Sequence, residues 1–527
     1  DVMVETFNSF CEKILKMHND LAYDRPVRVI SYKDKILLFH KALASLNLPL
    51  ERAIDLYFSY AQRRSKTNEQ LASILMNDCF FIRDYFKSKN KKIEVSSFTT
   101  CGIDDEKSAD MLCSACNYIE SYMKKNGLRD FADQLIDTIA LFEEHPETIP
   151  RFAYVLIDEY QDVNATQIRL IDLLNPPSIF AVGDPRQSIY GWRGSDIRYI
   201  LHFKEKHPGC ELITLTKNYR STRHIVDLIN KSIKTMGLAD LESSAEGERK
   251  TRLIKFDSEA DEFGFIIQAI QESRLPRNEI FVLARTNRQL NELSGIMKSK
   301  GIHHIVRSDE LKGSVPGTEH DVTLATIHAI KGLEATAVFV MGCTPFNFPC
   351  RGSEHPGIEM IKVTEYDQEE EERRLFYVAM SRAKQEVCLT YSTKAPTYFI
   401  TESMLQLLEE GKTDPGIYSK RGNLPITDRK EYHPPAGAVA NLLRNDGKAN
   451  FSFGKDSAII HRLKEWRTSL SKQQGVPAFM IMHDRTMMDL AAKMPLTLEA
   501  LEDVIGIGPA KIAKFGEAIL DIINLKG

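Results

Sequence analysis

The chain has 527 residues, 43% of them apolar and 27% charged, with a formal net charge of −4. That length predicts about two to four domains, each able to bury its own core, and excludes neither α nor β architecture. The charge balance excludes a bulk electrostatic affinity for nucleic acid, so any such track must be a local basic and aromatic groove. No apolar run reaches the about 18 residues of a membrane span, and no basic segment leading into an apolar core opens the chain; the expected protein is cytoplasmic, with no membrane partner.

Residues 11–150 read as amphipathic helices with little proline. Within them 128–142, LRDFADQLIDTIALF, places apolar residues at helical spacing and predicts ordinary helix packing. The nine cysteines are scattered and odd in number, a pattern of reduced thiols rather than a disulfide framework. Cys113 and Cys116 form a CxxC, with Cys79 and Cys101 as companions, but their helical setting makes them small core residues and a metal site needs four placed ligands.

From 151 to 216 the pattern changes to alternating strand and helix. Val155, Leu156 and Ile157 have the length of a buried parallel strand that delivers Asp158 and Glu159 to its C-terminal edge, where open α/β sheets place ligands. Such carboxylates suit a magnesium nucleotide, Asp158 holding the ion through its water shell and Glu159 activating water; alone, the pair reads more often as a solvated strand end. Residues 181–196, AVGDPRQSIYGWRGSD, run from a second apolar strand into a polar loop. There Gln187 can touch a γ-phosphate, and Tyr190 and Trp192 offer flat faces to bases; equally, the segment is a turn with its aromatics packed inward.

Four more blocks follow in order: LTKNYRST at 215–222, VLARTNRQL at 282–290, VTLATIHAIKGLEA at 322–335 and EEERRLFYVAMSRAKQEVCLTYS at 370–392. Residues 401–456 are dense in proline and glycine and read as a linker. Residues 459–523 form a compact helical pattern containing GVPAF and IGIGPAK turns. In the second turn Gly506 and Gly508 either free backbone amides for a phosphate or simply join two core helices.

Together, DEYQD, GDPRQSIYGWRG and LTKNYRST resemble motifs II, III and IV of superfamily 1 DNA helicases of the UvrD/Rep/PcrA family, and the later blocks continue the resemblance in order. The C-terminal module resembles an HRDC domain, the small helical bundle of RecQ-type helicases and RNase D. The fold implied is α/β: tandem RecA-like P-loop NTPase-type domains with a helical insertion, plus a C-terminal all-α HRDC bundle. Residues 1–10 and 151–216 would form RecA-like domain 1A without its N-terminal part, 11–150 the insertion 1B, 217–398 domain 2A, 399–456 a linker and 457–527 the HRDC domain. With only 291–321 between the IVa block and motif V, the large 2B subdomain of long-insert relatives would be essentially absent.

The resemblance implies an ATP-dependent 3'-to-5' helicase or translocase on single-stranded DNA and ss/ds junctions, in repair or replication, with ATP and Mg2+ as cofactors. In that reading Asp158 holds magnesium, Glu159 is the catalytic base, Gln187 senses the γ-phosphate, Arg220 and Arg382 are arginine fingers, and Glu334 contacts the ribose. DNA contacts are implied for Thr6 and Phe7 (next to Asn8, where the family usually has His), Tyr190, Trp192, Arg285, Thr326 and His328. Lys331 and Gly332 read as turn residues as readily as ligand contacts, and the HRDC domain as a weak DNA-binding or protein-contact module. The family's GKT/GKS phosphate loop lies upstream of its TFH segment, with which this chain begins. The expectation is therefore a fragment of a longer helicase, impaired in ATP hydrolysis as it stands. Gly411-Lys412-Thr413 is read as a decoy, because it follows a helical QLLEE and has Gln406 where the first loop glycine belongs. The alternative function is a non-hydrolysing DNA-binding scaffold derived from such a helicase.

Overall fold

The computed structural model describes residues 2–98, 103–308, 317–350, 356–362 and 367–411, with a discontinuous set between 459 and 524. Residues 412–458, Cys101, Gly506 and Gly508 lie outside the described residues, and with them most of the expected linker and the glycine turn. The chain divides into two compact units: Asp1–Thr148 with Ser353–Thr364 and Ile426–Gly527, and Ile149–Gly352 with Glu365–Pro425.

Among its described residues the first unit is helical apart from one short parallel pair, β1 (Arg28–Val29) with β2 (Leu128–Arg129). Its helices start where polar side chains can satisfy free backbone amides. Thr67 and Gln70 form a capping box for Asn68–Ser88, and Asp130 and Asp133 form one for Phe131–Glu144. Leu71, Leu75, Cys79 and Ile82 of Asn68–Ser88 join Leu112, Cys116 and Ile119 of Ile103–Lys125 in one apolar core. Cys113 and Cys116 are buried there, Cys116 Sγ lying 3.3 Å from the Cys79 carbonyl oxygen. The short helix Pro356–Lys362 completes this core: Ile361 is buried in it and the Gly357 amide donates to the Tyr57 hydroxyl at 2.8 Å. A separate cluster, with Leu463, Leu490, Leu501, Ile519 and Ile523, forms the core of the C-terminal module and includes its last helix, Pro509–Asn524.

The second unit begins with β3 (Tyr154–Ile157), helix Ala165–Leu174 and β4 (Ser178–Ala181), a parallel pair in which Ile157 stands opposite Ala181. The expectation of a buried strand is corrected here. Ile157 is buried, but Leu156 is 72% exposed, because the described sheet has only these two strands and one face is left to solvent. β5 (Lys217–Thr222) pairs in parallel with β6 (Glu242–Ala245). The main sheet contains β7 (Thr251–Lys255), β8 (Ile280–Ala284), β9 (His304–Arg307), β10 (Val322–Thr326), β11 (Ala335–Val340), β12 (Ala383–Tyr391) and β13 (Glu409–Gly411), in the spatial order β13-β7-β12-β11-β8-β10-β9. Every pairing in it is parallel. Helices on both faces explain why β8 and β10 are buried along their whole length and read as unbroken apolar runs.

QLLEE is not the helix expected. The helix there is Glu402–Leu405, and Glu409–Gly411 is the edge strand, drawn into the extended conformation by pairing with Arg252–Ile254. Gly411 therefore sits in a sheet edge rather than in a phosphate loop.

Candidate active site

Strand β3 ends at Ile157, and the chain turns at once: Glu159 adopts a left-handed backbone, φ +52°, before the 3-10 turn Tyr160–Asp162. A non-glycine residue held there stores strain of about 1–3 kcal/mol, a feature that clusters at functional sites. Asp158 is exposed and its Oδ1 accepts the Glu159 amide at 2.9 Å. Gln161, only 2% exposed, ties this turn to the next loop. Its Nε2 donates to Glu159 Oε2 at 2.6 Å, and its Oε1 accepts the Asp184 amide at 3.0 Å. Gly183 leaves room for that arrangement, since a Cβ there would lie 2.5 Å from Gln161 Oε1.

Gln187 closes the turn Pro185–Gln187 that Asp184 caps, its Nε2 donating to Asp184 Oδ2 at 3.1 Å. Its Oε1 accepts a hydrogen bond from Arg382 Nη2 at 3.0 Å. Arg382 caps helix Gln368–Ser381 and is 1% exposed. Its other described bonds go to neutral oxygens: Val378 O at 3.1 Å, Ser381 Oγ at 3.1 Å and Leu333 O at 3.4 Å. Burial, reinforced by the charge of Arg220, pushes Arg382 down to about 10. Arg220, on β5, donates from Nε to Glu334 Oε2 at 2.5 Å and from Nη1 to Ser381 O at 3.2 Å. Burial raises the Glu334 carboxyl, but Arg220 and Lys384 outweigh it and hold the group below its ordinary range.

Lys331 also enters this cluster. Its ammonium bonds Asp162, donates to the Gln187 carbonyl oxygen at 2.9 Å and stands 3.4 Å from Glu159 Oε2. Burial pushes the Asp162 carboxyl up to about 6 against the opposing pull of Lys331.

Beside the acidic turn lies an aromatic surface. The Tyr190 hydroxyl donates to the His328 carbonyl oxygen at 3.3 Å, Trp192 meets the His328 ring edge to face at 5.8 Å, and the Arg193 guanidinium lies 4.4 Å from the Trp192 ring centroid. Tyr190 and Trp192 are half-buried.

The structure thus brings together Asp158, Glu159, Gln187, Arg220, Arg382, Glu334, Tyr190, Trp192 and His328. Other expected contacts are engaged elsewhere. Thr326 is buried and its hydroxyl accepts the Ala329 amide at 3.3 Å, capping the turn that carries His328. Arg285 is clasped by the Glu372 carboxylate, with Nη2 at 2.6 Å and Nε at 3.0 Å. Thr6 and Phe7 belong to the other unit, where Thr6 caps helix Phe7–Met17, and Asn8 donates to Gln134 and to the Phe131 carbonyl.

Sequence reasoning missed Gln161 and Asp162, and left Lys331 open between a turn residue and a ligand contact. Gln161 and Asp162 stand inside DEYQD beside the carboxylates already singled out, and that adjacency was the available signal. The donor set fits a magnesium nucleotide: an exposed carboxylate at Asp158 offers hard oxygen ligands, and two guanidinium groups, one of them buried among neutral oxygens, offer an anion site.

Residues 1–208 match the UvrD/REP helicase N-terminal domain, residues 213–312 and 306–394 the UvrD-like helicase C-terminal domain, and residues 456–523 the HRDC domain. The chain carries N- and C-terminal domains of the UvrD/REP helicase type. A probable DNA helicase of Mycoplasma pneumoniae is 27% identical over 429 residues, covering 78% of this chain and 73% of that protein. The ATP-dependent DNA helicase PcrA of Staphylococcus epidermidis is 30% identical over 301 residues, 55% of this chain but only 38% of that protein. The ATP-dependent DNA helicase UvrD2 of Mycobacterium tuberculosis is 24% identical over 519 residues, 75% of this chain and 71% of that protein. The helicase-domain matches agree with the parallel main sheet, and an HRDC module follows the helicase domains. Among the described residues no helix is long and apolar enough to cross a membrane.

Proposed function

We propose that this chain carries the motor of an ATP-driven DNA helicase that moves 3'-to-5' along single-stranded DNA, in cytoplasmic repair or replication. The observation that carries the reading is Arg382: a buried guanidinium among neutral oxygens, beside Arg220 and bonded to Gln187, is a site prepared for polyphosphate charge. When bound, magnesium would neutralise charge on the β- and γ-phosphates, with Asp158 holding it through water. Glu159 is the residue that takes a proton from the attacking water in this reading, which its exposure and its anchoring by Gln161 support. Gln187 joins Arg382 to the loop that carries Tyr190 and Trp192, a short route from phosphate to strand. Arg220 exchanges its bond to Glu334 for phosphate, which frees the carboxylate for the ribose. The HRDC module adds a weak DNA or protein contact.

The test is strand displacement by the full-length protein on duplexes with a 3' or a 5' single-stranded tail. Unwinding that needs ATP and a 3' tail is expected, with Glu159→Gln binding single-stranded DNA normally but unwinding nothing. DNA binding indifferent to ATP, with no hydrolysis, would instead establish the scaffold.

A further inference from the structure

We propose that Lys331 is a positioning residue through which an occupied DNA track sets the geometry of the Glu159 carboxylate. The inference rests on the helicase reading above. Lys331 is 9% exposed on its side chain, and its ammonium stands between the acidic turn and the aromatic loop, which are also joined by hydrogen bonds from Ser195 Oγ to the Asp162 carbonyl oxygen at 2.5 Å and from Ser188 Oγ to the Gln161 carbonyl oxygen at 3.0 Å. On one side are Asp162, the Gln187 carbonyl oxygen at 2.9 Å and Glu159 Oε2 at 3.4 Å. On the other is the face of Tyr190, whose ring centroid is 5.1 Å away. An ammonium has three N–H groups and no acceptor; two hydrogen bonds go to Asp162 and the Gln187 carbonyl oxygen, Glu159 adds an ion pair, and low exposure leaves the contacts little screened.

The backbone supplies the connection. His328–Ile330 is a single 3-10 turn; the Lys331 amide donates to the His328 carbonyl oxygen at 3.4 Å, and the Tyr190 hydroxyl donates to that same oxygen at 3.3 Å. Gly332 follows with φ +85°, where a Cβ would meet nothing within 4 Å, so glycine is demanded by the backbone reversal and not by crowding. A base stacked on Tyr190 and Trp192 displaces His328 and Tyr190, and one tight turn carries that displacement to the ammonium. Moving the ammonium changes which carboxylate it holds. Glu159 then keeps only its bond from Gln161 and turns toward the attacking water.

The experiment is ATP turnover of the full-length protein with and without saturating oligo(dT), in wild type, Lys331→Met and Lys331→Arg, alongside oligo(dT) affinity and melting temperature. For Lys331→Met the stimulation by oligo(dT) falls about tenfold or more while oligo(dT) affinity stays within about threefold of wild type, and Lys331→Arg recovers part of the stimulation. A Lys331→Met protein that is stimulated like wild type overturns the proposal. So does one that loses stimulation only in proportion to DNA affinity, which would make Lys331 a strand contact, or one whose loss Lys331→Arg does not relieve at all. A wild type without any stimulation removes the helicase reading itself, a result distinguishable from the others.

Discussion

Replacing Arg382 by methionine separates the cost of a prepared site from its use. The guanidinium is lowered from its ordinary 12.5 to about 10, chiefly by burial and then by Arg220. At neutral pH its charged form therefore costs the fold about 3 kcal/mol, at about 1.4 kcal/mol per pH unit. Against that stand three short hydrogen bonds, to Gln187 Oε1 at 3.0 Å and to Val378 O and Ser381 Oγ at 3.1 Å, each contributing about 1 kcal/mol net. The two sums nearly cancel, and methionine fills a similar volume. Arg382→Met is expected to change the unfolding free energy by less than about 2 kcal/mol, whereas losing an arginine finger lowers turnover by about a thousandfold or more. Arg382→Lys should lose nearly as much turnover, since a point charge cannot reproduce the planar fork. Urea unfolding followed by tryptophan fluorescence, with ATP turnover of the full-length protein, measures both quantities. A stability loss above about 4 kcal/mol would make Arg382 a structural keystone, and near-normal turnover would remove it from the phosphate site.

Three further outcomes follow from individual contacts. Trp192→Ala should weaken oligo(dT) binding by about 1–3 kcal/mol if the indole stacks a base; fluorescence anisotropy showing unchanged affinity in a folded variant would return Trp192 to a packing role. Gly357→Val should destabilise the helical unit by about 1–3 kcal/mol, because the new Cβ would lie 2.7 Å from the Tyr57 hydroxyl and 3.0 Å from Leu112 Cδ1; a melting temperature equal to wild type would show that helix Pro356–Lys362 packs otherwise. Burial, with Asp130 beside it, pushes the Asp133 carboxyl up to about 7 from 3.8. The folded state thus binds that proton more tightly than the unfolded chain, so the group's destabilising effect is complete above about pH 7 and fades as pH falls toward 3.8. Melting should therefore show Asp133→Asn gaining more stability over wild type at pH 8 than at pH 5, and an equal gain at both would contradict the shift.

Much of the site was legible because its residues fall in contiguous blocks whose chemistry is local. Asp158 and Glu159 end a strand, Gln187, Tyr190 and Trp192 share one loop, and Arg382 ends a helix in a block that names it. What escaped is what long-range packing decides. The bond from Lys331 to Asp162 spans 169 positions, and that from Arg285 to Glu372 spans 87, so no window of sequence contains either pair. The same holds for conformation. Glu409–Gly411 follows a helix-forming stretch, yet pairing with β7 makes it a strand, and Leu156 looks like core but lies on a sheet face open to solvent. The all-parallel order of the main sheet is the converse case, since unbroken apolar strands such as β8 and β10 announce burial on both faces before any partner is known.

Steady-state ATP turnover of the full-length protein, with and without single-stranded oligo(dT), tests the central claim most directly. The account predicts hydrolysis that rises on adding DNA and is abolished by Glu159→Gln with DNA affinity preserved. Absence of hydrolysis at every DNA concentration, or undiminished hydrolysis in Glu159→Gln, would contradict it.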